Sequence, residues 1–134
     1  MTTYGQFCPV AQALEIIAER WTLLVVRELL CGSHRFNDLL RGVPKMSRTM
    51  LSQRLKTLED AGLVHRRAEG AGSEYHLTQA GEALRAVVVS VGEWGHRWLD
   101  GTLPETQLDP SLLMWDIHRR IDHDAITLPR VVVR

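Results

Sequence analysis

Apolar residues recur at helical spacing through most of the chain, and Gly or Pro interrupts them often enough to mark separate elements. Val10, Ala13, Leu14, Ile17 and Ala18 share one helical face, with Cys8 at the cap and Pro9 at the first helical position. A helix over 9–19 is expected. Residues 21–31 are apolar almost all round and read as a second, buried helix that Gly32 stops. Phe36, Leu39 and Leu40 mark a short third helix over 36–41, ending at Gly42. Pro44 breaks the chain, and Ser47 is a good N-cap for a fourth helix over 47–61. Leu51, Leu55 and Leu58 give that helix one narrow apolar stripe at i, i+4 and i+7, and Gly62 stops it. Residues 63–68 and 74–77 are strand-like and joined through Gly70-Ala71-Gly72-Ser73, which predicts a hairpin. Thr78 then caps a long helix over 79–100, closed by Gly101. A helix pair around a tight turn, followed at once by a two-stranded ribbon, is the winged helix-turn-helix pattern. The expected fold class is therefore mainly α with a small β-wing, plus a long dimerisation helix.

Composition narrows the function. The chain has 134 residues, 45% of them apolar, enough for one real core. The division expected is 1–101 as the winged helix and dimerisation domain and 102–134 as a C-terminal extension. No apolar run approaches the roughly 18 residues of a membrane span, and the N-terminus lacks the charged and apolar regions of a signal peptide. A cytoplasmic protein with no membrane partner is expected. Cys8 and Cys31 are too few for a disulfide framework. The six histidines show no metal-ligand spacing with each other or with the cysteines, and no phosphate loop, nucleophile elbow or paired-carboxylate motif is present. No metal, cofactor or catalytic activity is expected.

Formal net charge is zero, which alone argues against a polyanionic partner. Its distribution argues the other way. Arg35, Arg41, Lys45, Arg48, Arg54, Lys56, Arg66 and Arg67 crowd into 34–67 against Asp38, Glu59 and Asp60, while the flanking segments are net acidic. That asymmetry suits a footprint for phosphates.

A recognition helix buries one stripe and offers the rest to the major groove, with its N-terminal turns nearest the bases. Residues 47–61 meet this demand. Arg48 can fork onto a guanine edge and Gln53 can pair with adenine, while Ser47, Thr49 and Ser52 are short enough for close approach. Met50 suits either a thymine methyl or the edge of the core. Arg54 and Lys56 suit phosphate contacts, which position without reading sequence. Arg35 belongs to the same basic cluster. Arg66 and Arg67 alternate faces on the first wing strand, so one reaches DNA while the other meets solvent or Glu69. The wing tip carries no cation, which leaves backbone amides or Ser73 for contact.

These stretches together resemble the HxlR-type transcriptional regulators, a branch close to the MarR-like winged helix proteins. The matching segments are Cys8-Pro9-Val10-Ala11, ERWTLLVVREL at 19–29, RFNDLLRG at 35–42, SRTMLSQRLKTLEDAGLVHR at 47–66 and EYHLTQAGEAL at 74–84. They cover roughly 8–100 in family order. The resemblance implies a dimer, a helix-turn-helix built from the third and fourth helices, and a wing beside it. The tip Gly-Ala-Gly-Ser departs from the family, where Pro with Arg or Val is common. Cys8 resembles the N-terminal cysteine that some relatives use to sense quinones, aldehydes or oxidants. The alternative for Cys8 is a half-buried structural thiol, and Cys31 is expected in the core.

The helix over 79–100 carries Leu84, Val87, Val88, Val91, Trp94 and Trp98 along one stripe, which reads as a dimer seam joined by the first helix, or as ordinary core. Past it, Asp109-Pro110 opens a short helix, and Leu128-Pro129 leads into Arg130-Val131-Val132-Val133-Arg134. This segment resembles the opening of the sterol-carrier-like ligand domain that longer family members carry. Either the chain is shortened there or the strand pairs with another subunit. The sequence thus points to a homodimeric, sequence-specific regulator of double-stranded DNA, with a small molecule or electrophile as candidate effector. The competing reading is a protein–protein interaction module on the same scaffold.

Overall fold

A computed structural model describes residues 3–99, 101, 104, 107 and 109–120. Its elements are α1 (Pro9–Ile17), α2 (Thr22–Leu30), α3 (Phe36–Gly42), α4 (Arg48–Asp60), β1 (Val64–Glu69), β2 (Gly72–Leu77), α5 (Gln79–Glu82), α6 (Arg85–Trp98) and α7 (Pro110–Arg120). The order is the one the apolar spacing predicts, and the architecture is a winged helix.

The core lies where α2, α3 and α4 meet the root of the wing. Val25, Val26 and Leu29 of α2 pack with Leu39 of α3, with Val43 and Met46 from the turn, and with Val64 of β1. The stripe Leu51, Leu55 and Leu58 of α4 is buried among them. Removing such a side chain from water stabilises by about 1.5–3 kcal/mol, so this stripe fixes which face of α4 is left for a ligand. The Ser47 hydroxyl accepts from the Met50 amide at 3.1 Å and sets the start of the helix. Met50 itself packs at the edge of the core.

Several boundaries differ from the sequence reading. The first helix ends at Ile17, and a corner at Trp21, whose φ is +76°, turns the chain into α2. The hairpin loop is only Gly70-Ala71, because Glu69 pairs with Gly72 and Ala68 with Ser73. Gly70 takes a φ of +56° there, a conformation that a side chain would strain. The segment before α3 also joins the wing: Arg35 bridges Glu74, and the Tyr75 amide donates to the His34 carbonyl at 2.8 Å. Two residues are too few to show a strand period in sequence. The long helix expected over 79–100 is broken into α5 and α6. Thr78 caps α5 as expected, its hydroxyl accepting from the Gly81 amide at 3.2 Å.

The extension folds back. Asp109 accepts from the Ser111 amide at 2.9 Å and starts α7, which packs against α3. The Arg119 guanidinium of α7 reaches the carboxylate of Glu28, a fully buried residue of α2. The strand expected over 130–134 and the boundary residue 102 lie outside the described residues. Among those described, no helix is long and apolar enough to cross a membrane.

Candidate nucleic-acid interface

Burying the leucine stripe leaves Arg48, Thr49, Ser52, Gln53 and Lys56 exposed together on the opposite face of α4. Arg48 stands at the first position of the helix. Its guanidinium donates to Asn37 Oδ1 at 2.9 Å and lies 4.9 Å from the Phe36 ring centroid, so α3 aims it. Asn37 was not legible as a site residue, since an isolated Asn on a short helix carries no pattern. Lys56 pairs with Asp60 one turn on, at 3.3 Å, a solvated contact of little strength.

Arg54 departs from its expected role as a phosphate grip. Its Nε donates to the Arg20 carbonyl at 3.0 Å, its Nη1 pairs with Glu19 at 3.2 Å, and its side chain is only 14% exposed. It ties α4 to the corner between α1 and α2. It lies one position from the apolar stripe in sequence, and the corner residues Glu19 and Arg20 decide which way it turns.

The two wing arginines separate as the strand alternation predicts. Arg67 faces Glu74 at 3.5 Å and Glu69 at 3.8 Å, so its charge is largely answered. Arg66 lies over Tyr75 and donates to the Ser73 hydroxyl at 3.0 Å, with no carboxylate partner among the described residues. The His76 imidazole bonds to Glu74 at 2.9 Å and holds that carboxyl below the usual glutamate range. It also stacks 4.1 Å from the His34 ring. Arg35 stands 3.8 Å from Glu74. A cleft of about 430 Å³ between the start of α3 and the wing brings Arg35, Arg48 and Ser73 to one rim. Asp38, Glu69 and Glu74 line the same cleft, so the cations of α4 and the wing without a carboxylate partner among the described residues are Arg48 and Arg66.

Two other surfaces bear on function. Leu84 and Val88 are half-buried and pack against the core on one side. Val87, Val91, Trp94 and Trp98 are exposed, and α6 has no buried residue. Helix α1 buries only Ala11 and leaves Val10 65% exposed, and Phe7, just before the helix, is 98% exposed. Both helices pack against α2, whose Leu24 is exposed as well. Large apolar side chains left in water on two neighbours of α2 mark an interaction surface.

Both cysteines are exposed. Neither the half-buried Cys8 nor the core Cys31 that the sequence suggested is found. Cys31 lies just beyond the last buried turn of α2, where the apolar run outlasts the burial. Cys8 occupies the cap position of α1, and the backbone N–H groups of Ala11 and then Val10 hold its thiol below the ordinary cysteine range. Among the described residues, no three His, Cys, Asp or Glu side chains could hold a metal ion.

Comparison with known proteins agrees with this geometry. Residues 16–102 match the HxlR-like helix-turn-helix family model. The HTH-type transcriptional regulator YvaP of Bacillus subtilis is 36% identical over 100 residues, which is 72% of this chain and 93% of that one. The HTH-type transcriptional regulator Rv3095 of Mycobacterium tuberculosis is 42% identical over 95 residues, covering 67% of this chain and 58% of its own longer one. The solved structure of the redox regulator HypR in its oxidized form superposes with a TM-score of 0.64 at 33% identity, over 69% of this chain and 99% of that one.

Proposed function

This chain belongs to the HxlR-like helix-turn-helix family and is a DNA-binding transcription regulator rather than an enzyme, and we propose that it acts in the cytoplasm as a homodimer on a two-fold operator. The N-terminal turns of α4 enter the major groove. Arg48 and Gln53 read base edges, Thr49 and Ser52 permit close approach, and Lys56, Arg35 and Arg66 position the backbone. Ser47 serves mainly as the helix cap, and Ser73 orients Arg66. The exposed face of α4 formed by Arg48, Thr49, Ser52 and Gln53, which holds no carboxylate, carries this reading, because a face that must meet phosphates cannot hold acids there. Arg67, answered by two carboxylates, contributes less. Arg54 drops out of the set.

A two-fold operator needs a two-fold protein. The apolar faces of α1 and α6, through Val87, Val91, Trp94 and Trp98, supply a seam of the right kind. Cys8 is the candidate sensor of electrophiles or oxidants. Its exposure and lowered thiol support that role, and a redox regulator is among the solved relatives.

Selecting genomic fragments on the purified protein yields its operator. On that fragment Arg48→Ala should cost about 1–3 kcal/mol of binding and far less on random duplex. Lys56→Ala should weaken both alike. Equal losses for Arg48→Ala on the two duplexes would remove it from base reading.

A further inference from the structure

The carboxylate of Glu28 has no access to water. It pairs with Arg27 of its own helix at 3.0 Å, and with Arg119 of α7. Arg27 is 38% exposed on its side chain and Arg119 only 12%, so the tail residue is the partner that shares the burial of Glu28. Asp116, one turn earlier on α7, accepts from Arg119 at 2.6 Å and holds the guanidinium in place. A buried carboxylate that loses its partner is left uncompensated and strongly destabilises its surroundings. Those surroundings include α3. A Cβ at Gly42, in the last turn of α3, would collide with the Glu28 carboxyl, and Arg27 donates to the Gly42 carbonyl at 3.2 Å. Arg41, the neighbour of Gly42, lies 4.9 Å from the Trp115 ring centroid of α7. The opposite end of α3 presents Asn37 and Phe36 to Arg48, the first residue of the recognition helix.

The family match ends at residue 102. The buried acid therefore lies inside the DNA-binding unit, and one of its two bases lies outside it. We propose that α7 is a docked strap, and that the contact of Arg119 with Glu28 couples the C-terminal extension to operator affinity through α3. Docked, α7 neutralises Glu28 and seats the last turn of α3, which keeps Asn37 and Phe36 in register with Arg48. Undocked, Glu28 keeps only the half-exposed Arg27, and α3 loses that seat. By linkage, a ligand or protein that binds the extension and draws α7 away weakens DNA binding, and DNA strengthens the docking by the same factor.

This inference rests on the DNA-binding reading, and its test separates the two. Hydrogen exchange of the segment 110–120 reports docking, and affinity for the genomic fragment that the native chain retains most tightly reports coupling. In the full chain, Arg119→Ala should lose protection over 110–120 and bind the fragment about tenfold more weakly. The double variant Glu28→Met with Arg119→Ala removes the buried charge together with its partner and carries the test if the single variant does not fold. It should regain thermal stability, with 110–120 still unprotected and binding still weakened. Native affinity in the double variant with an unprotected α7 would overturn the coupling, and so would an α7 that stays protected in Arg119→Ala. A native chain that retains no fragment would overturn the DNA-binding reading and this inference with it.

Discussion

Arg48 and Arg54 are the same side chain on the same helix, and their surroundings give them opposite tasks. Asn37 and Phe36 leave Arg48 at the surface with no carboxylate partner among the described residues, whereas Glu19 and the Arg20 carbonyl hold Arg54 against the protein. Arg54→Ala should therefore lower unfolding stability by about 1–2 kcal/mol, in line with the loss of charged hydrogen bonds. The ratio of operator to random-duplex affinity should stay unchanged, and a changed ratio with native stability would return Arg54 to the DNA face. Cys8 is a second residue defined by its local backbone. Two amide N–H groups favour its thiolate, so alkylation by iodoacetamide should reach half its maximal rate at a lower pH than in an unstructured peptide, where that pH is about 8.5. Mass spectrometry of the Cys8 peptide measures this directly, and a midpoint at or above the peptide value would deny Cys8 the sensing role.

Among the elements, α6 shows the clearest division of labour. Its N-terminal end contributes Val88 to the core beside Leu84, and beyond that point its apolar residues face outward. A helix that satisfied only its own domain would not leave Val91, Trp94 and Trp98 in water. Val91→Asp places a charge in the proposed seam and should weaken the proposed dimer by about a hundredfold or more, leaving monomers of unchanged helix content in sedimentation. A variant that remains dimeric would move the interface to α1 alone. The wing differs in kind, since it has a two-residue loop and no cation at its tip. Its contribution comes from Arg66 on the strand, so shortening the tip should matter less than losing that arginine.

For the whole molecule, zero net charge conceals a strong separation. Of the basic cluster of 34–67, Arg48 and Lys56 on α4 and Arg66 on the wing stand exposed, while acids predominate in the flanking sequence. Phosphate binding through such a surface releases counterions. Affinity for duplex DNA should fall by about a thousandfold or more between 50 and 200 mM salt if about six phosphates are engaged. An affinity flat over that range would contradict the electrostatic footprint. In the proposed coupling, the packing of α7 on α3 links the extension to this surface through the length of α3.

The local signals in the sequence were enough for the order of elements, for the leucine stripe of α4 and hence its free face, and for the caps at Ser47 and Thr78. Each depends on residues within a few positions of one another, where spacing and backbone hydrogen bonding decide. The hairpin loop is two residues shorter than the sequence suggests because Gly72 and Ser73 suit a turn or a strand equally, and strand pairing decides between them. For Arg54 and Cys31 the local pattern does not settle exposure, which depends on which neighbour covers them. The bridge of Arg35 to Glu74, and above all the meeting of Arg119 with Glu28 across most of the chain, join residues that share no local period. Only the tertiary structure decided these, because a buried charge finds its partner by position in space, and spacing along the chain carries no record of that choice.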